Sequence, residues 1–207
     1  MIRINYVTSN KFKQEEIKEF VENCNLTDGT PIRGNFDFKI YPNLIHERLE
    51  VDIEKMVRFE VKEAYSKIKV PCIVEHAGLI FEKYKTIGYP GGMTKPMWNT
   101  LKQDFLLETN SAKEKVIAKA VIGYCDGKDI KTFIGETFGV LSDAPRGNRD
   151  FYWDTIFIPD TNTNQTYAEI VENYGIKEKL IKYSQSAKAL ILFLEYIRNN
   201  GVDDFWG

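Results

Sequence analysis

Cysteine is scarce in this chain: Cys24, Cys72 and Cys125 are the three in 207 residues, and no two form a CxxC pair. An odd, widely spaced set argues against a disulfide framework and offers no zinc-ligand spacing. The thiols are expected as small buried apolar side chains in a reducing compartment. Charge of one sign is lacking too. The 28 basic and 30 acidic residues leave a net −2, without the basic field that duplex nucleic acid or an anionic membrane surface requires. A polyanionic partner must then be met locally, by a few placed cations. No apolar run is long enough to span a bilayer, and the opening "MIRINYV" has no signal-peptide core, so a soluble, cytoplasmic protein is expected. Repeats, low-complexity tracts and linkers are missing as well. With 43% hydrophobic residues, residues 1–207 are read as a single domain with one substantial core.

What is present alternates strands with helices. Ile2 to Val7 is β-prone, Thr8-Ser9-Asn10 supplies capping residues, and Ile17, Phe20, Val21 and Cys24 keep helical spacing. Asn25 to Asn35 reads as loop, and Phe36, Phe38 and Ile40 alternate as a half-buried strand. Ile53, Met56, Val57, Val61, Ala64, Tyr65 and Ile68 form one face of a second helix, after which Val70 to Val74 returns to a strand. This βαβαβ pattern predicts an α/β sheet. "GYPGGMTKP", Gly88 to Pro96, is expected as a shaped loop; Val116 to Cys125 and Ile130 to Leu141, joined by "DGKD", are expected as an added antiparallel hairpin. A last helix carries Ala187, Leu190, Ile191, Leu194 and Ile197 on one face, and "NNGVDDFWG" is read as a loosely held tail.

Three stretches could carry chemistry. In "TSNKFKQEE" a helix opens after Thr8, Ser9 and Asn10, with Lys13 in its first turn. Helix N-terminal N–H groups and a lysine suit a phosphate, and an ordinary cap with a solvated lysine is the other reading. In "APRGNRDFYWD", Arg146 and Arg149 could grip phosphate and Phe151, Tyr152 and Trp153 could stack a purine, or the aromatics could be core. "VEHAGLIF" places Glu75 and His76, one of two histidines, at an expected strand end where open α/β sheets bind ligands. His76 is open to three readings, as a base, a ligand or a satisfied strand-end residue.

In this order the stretches resemble the inosine triphosphate pyrophosphatase family, the Ham1-like enzymes that hydrolyse non-canonical purine nucleoside triphosphates. The family pattern T-G-N-x-x-K-x-x-E meets Thr8, Ser9, Asn10, Lys13 and Glu16; V-E-D-T-x-L with G-x-P-G meets "VEHAGL" and "GYPGG"; A-P-R-G-x-x-D-F-G-[WY]-D-P-x-F-x-P and Q-T-[YF]-A-E meet Ala144 to Pro159 and Gln165 to Glu169. The resemblance implies an elongated α/β fold, a mixed sheet with flanking helices forming two lobes around a nucleotide cleft, in a homodimer. It implies water attack at the α-phosphorus, giving a nucleoside monophosphate and pyrophosphate with Mg²⁺ or Mn²⁺. Ser9, Asn10 and Lys13 would hold the phosphates, with Thr8 and Arg146 also expected to bind substrate, Lys13, Glu75 and His76 catalytic, and Glu47 and Glu75 serving the metal. Phe151, Trp153 and Asp154 would hold the base, Trp153 by stacking, and Gln185 could bond to its edge. Four positions depart from the pattern. His76 replaces an aspartate, Ser9 a glycine, Ser184-Gln185-Ser186 an S-H-R run, and Glu60 falls where the family has a lysine. The alternative reading is a nucleotide-binding sensor or partner subunit with weakened catalysis.

Overall fold

The computed structural model describes residues 1–42, 45–46, 48–148, 151–161 and 163–201. Strand β1 (Ile2–Val7) leads to helix α1 (Lys11–Asn23), which begins where the Asn10 side chain accepts the N–H groups of Phe12 and Lys13. Strand β2 (Phe36–Tyr41) follows, then helix α2 (Ile53–Ile68), capped by Asp52 and stopped by Lys69 in the left-handed region. Its buried stripe, Met56, Val57, Glu60, Val61 and Ala64, has the expected period and one acid within it. Strand β3 spans Cys72–Phe81, followed by α3 (Thr94–Leu101), α4 (Phe105–Glu108), β4 (Lys115–Cys125), β5 (Ile130–Leu141) and β6 (Phe157–Pro159). Helices α5 (Tyr167–Tyr174), α6 (Ile176–Lys182) and α7 (Gln185–Asn200) complete the described chain.

The strands form one mixed sheet in the order β2-β1-β3-β4-β5-β6, parallel from β2 to β3 and antiparallel from β3 onward. The α/β expectation and the "DGKD" hairpin are the fold observed. The third strand is not the short one expected. Only Cys72 and Ile73 pair with β1, whereas all ten residues of β3 pair with β4, from Cys72↔Cys125 to Phe81↔Val116. Glu75 and His76 therefore lie inside a strand, just past the point where its parallel neighbour ends. The loop expected through Pro96 also stops earlier: α3 starts at Thr94, so Pro96 occupies a first turn, where its missing N–H breaks no helical bond. Gly78 sits inside β3 because the "PGG" turn crosses it; a Cβ there would meet Gly91 O at 2.1 Å.

Buried apolar groups fall in three clusters. Phe20, Tyr124 and Phe193 join α1 and α7 to one face of the sheet, Val57, Val61 and Val121 join α2 to the other, and Trp98, Phe105, Trp153 and Tyr167 fill the far end. Helix α7 lies against β4 and β5, and Gly135 sets how closely. A Cβ at Gly135 would stand 2.0 Å from Gln185 O and 2.7 Å from Ala189 N, so any side chain must push the first turn of α7 off the sheet. Gly135→Ala is expected to destabilise the fold by about 1–3 kcal/mol, read by urea unfolding. An unchanged midpoint would show that α7 tolerates the shift.

Candidate functional site

Where β1 stops and β3 continues, a cleft of about 900 Å³ opens, its mouth included. Thr8, Ser9, Asn10, Lys13, Glu75 and His76 line it together with Phe151, Trp153, Asp154 and Gln185. Residues far apart in sequence are thereby brought together. Arg146 is the exception. It is absent from the cleft wall; its guanidinium donates to Asn164 O at 2.8 Å and stands 3.4 Å from Glu169, while its carbonyl accepts from Thr166, the cap of α5. Arg146 is thus occupied in tying the "APRG" loop to a helix start. Glu47 and Arg149 lie outside the described residues.

Side chains alternate across a strand, so Glu75 and His76 leave β3 on opposite faces. Glu75 turns toward α1 and α7. Tyr6 donates to its Oε2 at 2.7 Å, Ser186 to its Oε1 at 2.8 Å, and the Lys13 ammonium stands 3.5 Å from Oε1 while donating to the Glu75 carbonyl at 2.7 Å. Burial pushes this carboxyl up, but Lys13 and the hydroxyl donors outweigh it and hold it below the ordinary glutamate value. Burial and the same carboxylate push the Tyr6 phenol well up, so it stays a donor. Ser186, at the place of the pattern's arginine, therefore serves the carboxylate. The Phe12 and Lys13 N–H groups are likewise engaged, by Asn10, whose amide donates to the Tyr152 hydroxyl at 3.2 Å. What α1 offers the cleft is the Lys13 ammonium and not a bare helix terminus.

The described part of this donor set does not by itself form a divalent-metal shell, and Glu47 lies outside it. Among the described residues no group of three His, Cys, Asp or Glu side chains converges. Glu75, the described member of the expected pair, already has both oxygens in use. Across the cleft, His76 Nδ1 stands 3.9 Å from Glu60 Oε2, both side chains being buried. The acid that His76 lacks relative to the family pattern is present on α2 instead.

At the other end Lys179 is buried between two acids, 2.6 Å from Asp154 and 2.9 Å from Glu16. Burial lowers its affinity for a proton, but Asp154 and then Glu16 more than restore it, so the ammonium is held above its ordinary value. The Phe151 and Tyr167 rings stand 5.1 and 4.9 Å from its nitrogen. Phe151 stacks on Phe12 at 4.9 Å between centroids, and Trp153 packs against Phe157 and Tyr167 while lining the cleft. Sequence reasoning missed Lys179, Tyr6 and Lys95, and named Glu60 only as a departure from the family pattern; all four are part of this region. A signal did exist for Lys179: it falls three residues after Ile176 and beside Leu180, on the stripe of α6 that faces inward.

Residues 4–196 match the model of the Ham1 family. The dITP/XTP pyrophosphatase of Pyrococcus horikoshii is 32% identical over 205 residues, 96% of this chain and 98% of the relative. The inosine triphosphate pyrophosphatase of Kluyveromyces lactis is 28% identical over 203 residues, 95% and 96% of the two chains. Among solved structures, a HAM1 protein from Coxiella burnetii superposes over 95% of this chain and 100% of its own with a TM-score of 0.65 at 17% identity. That last likeness speaks to the fold alone.

Removing Lys179 strands two buried carboxylates. Lys179→Met is expected to cost about 3–5 kcal/mol, with less than additive loss when Asp154→Asn is combined with it, measured by chemical unfolding. The folded ammonium has the raised value, so its stabilisation is complete below the ordinary lysine pKa of about 10.4 and is lost as pH climbs through the higher folded one. The unfolding free energy of the parent should therefore fall more steeply than that of Lys179→Met above pH 10.4 or so; parallel curves would contradict the pairing.

Proposed function

Because this chain belongs to the Ham1 family, we propose that its cleft hydrolyses non-canonical purine nucleoside triphosphates to the nucleoside monophosphate and pyrophosphate. The observation that carries this is one cleft lined by two unlike sets of groups: the cations Lys13 and Lys95 with Thr8, Ser9 and Asn10, and the set of Asp154, Lys179, Trp153 and Gln185. A triphosphate needs the first and a base the second. The relatives' names, dITP/XTP pyrophosphatase and inosine triphosphate pyrophosphatase, support the reaction class and disfavour a binding subunit without turnover.

In this reading water attacks the α-phosphorus, its new P–O bond forms as the bond to the α,β-bridging oxygen breaks, and pyrophosphate leaves. Lys13, fixed by the Glu75 carbonyl, carries a positive charge to the phosphates. Ser9 and Thr8 flank it at the end of β1. His76 takes the proton of the water, with Glu60 beside it favouring the imidazolium that forms. Mg²⁺, or Mn²⁺ in its place, is assigned to the triphosphate as part of the substrate, which asks few carboxylates of the protein. Trp153 and Phe151 bound the base. The resemblance supports a homodimer, and three buried thiols without a disulfide support a cytoplasmic setting.

A panel of inosine, xanthosine, adenosine and guanosine triphosphates, assayed for pyrophosphate against phosphate, tests the proposal. Pyrophosphate from the deaminated purines is expected, with His76→Ala lowering kcat by roughly 10²–10⁴ and His76→Asp raising turnover in Mg²⁺. Binding without turnover of any triphosphate would sink the enzyme reading.

A further inference from the structure

The segment that carries Phe151 and Tyr152 is clamped onto the first turn of α1. Phe151 stacks on Phe12 with ring centroids 4.9 Å apart, and the Tyr152 hydroxyl lies 3.2 Å from Asn10 Nδ2. Tyr152 holds this position under strain: its φ is 49°, in the left-handed region that glycine enters freely and a bulky side chain rarely. Strain of this kind persists where the surroundings enforce it, and it gathers at ligand sites. The ring packs only in part against the core. Half-buried, it faces the Lys95 ammonium at 5.6 Å from its centroid and lines the cleft. What the strained backbone secures is the placement of one hydroxyl.

Asn10 decides where the proton of that hydroxyl goes. Its amide oxygen accepts from the N–H groups of Phe12 and Lys13, so the amide cannot be turned over and its NH₂ must face Tyr152. The phenolic oxygen is therefore the acceptor in this contact. Its own proton has no protein acceptor among the described residues. We propose that Tyr152 is a substrate-binding residue, oriented by Asn10, whose hydroxyl donates to a phosphate oxygen of the bound nucleotide. This rests on the nucleotide reading of the cleft. The neighbours name the acceptor: Asn10 caps the turn that holds Lys13, and the Lys95 ammonium stands over the ring, so a polyphosphate drawn by these two cations brings anionic oxygens to the phenol. A hydroxyl that donates to a charged oxygen makes a stronger bond than one to a neutral acceptor.

The test compares Tyr152→Phe, which keeps the ring and the backbone, with the parent, using three probes: inorganic triphosphate, the α,β-methylene analogue of inosine triphosphate, and inosine. The dissociation constants of the first two should rise about tenfold while that of inosine stays level, with an unchanged urea midpoint. Asn10→Asp supplies an acceptor for the phenolic proton and turns it from the ligand. In that background the further change Tyr152→Phe should shift the constants by no more than about twofold. Parent affinity in Tyr152→Phe, or an equal loss for inosine, would overturn the assignment, and a loss in the Asn10→Asp background as large as in the parent would overturn the part given to Asn10. A parent that binds the analogue but hydrolyses no triphosphate would defeat the enzyme reading, while the ratio between Tyr152→Phe and parent still decides the role of Tyr152. A parent that binds neither phosphate probe would overturn both.

Discussion

Strand β3 keeps its parallel partner for two residues and its antiparallel partner for ten, and the cleft exists because of that mismatch. Where β1 ends, the sheet loses a neighbour on one side of β3 but not the strand itself, so Glu75 and His76 stand at a step in the sheet. The polar groups beyond the step would be exposed β-edge in a simple sheet. Here they are covered by the start of α1, the middle of α2 and the start of α7. Strand alternation then divides the labour: one side chain reaches the α1–α7 face and its neighbour the α2 face. The same two residues could not serve both faces if β3 ended at Val74.

The buried cation at the far end illustrates a different constraint. Taking one ammonium and two carboxylates out of water recovers its cost only with close geometry and further partners, and Lys179 has both, with two short contacts and two ring faces. Such a group is weak support for overall stability. Its effect is to fix Asp154, which would otherwise have no reason to stay buried, and through Asp154 the polar end of the cleft.

Much of this was legible in the chain. Helices α1, α2 and α7 follow from apolar spacing and capping residues, and the β4–β5 hairpin from "DGKD" between β-prone runs, because each signal is local. The length of β3 was not legible, since it is set by pairing with β4, some fifty positions later. Arg146 reads as a phosphate ligand by residue type, but its guanidinium lies outside the cleft lining, beside Asn164 O and Glu169 at the start of α5. Most of the residues that line the cleft lie in the three stretches singled out from the sequence. What could not be read was which of them face each other: Glu75 with Tyr6 and Ser186, His76 with Glu60, and Lys179 with Glu16.

The contact between Asn10 and Tyr152 joins positions 142 residues apart, and that between Glu16 and Lys179 spans 163. Contacts of such separation close large loops, and each needs most of the chain to be present before it can form. A growing polypeptide that has made β1, α1 and β3 holds the phosphate-attracting lysine but no pocket for a base. Only when α6 and α7 have left the ribosome can both ends of the cleft be present together. Nascent chains of this protein thus present no complete cleft before the fold is finished.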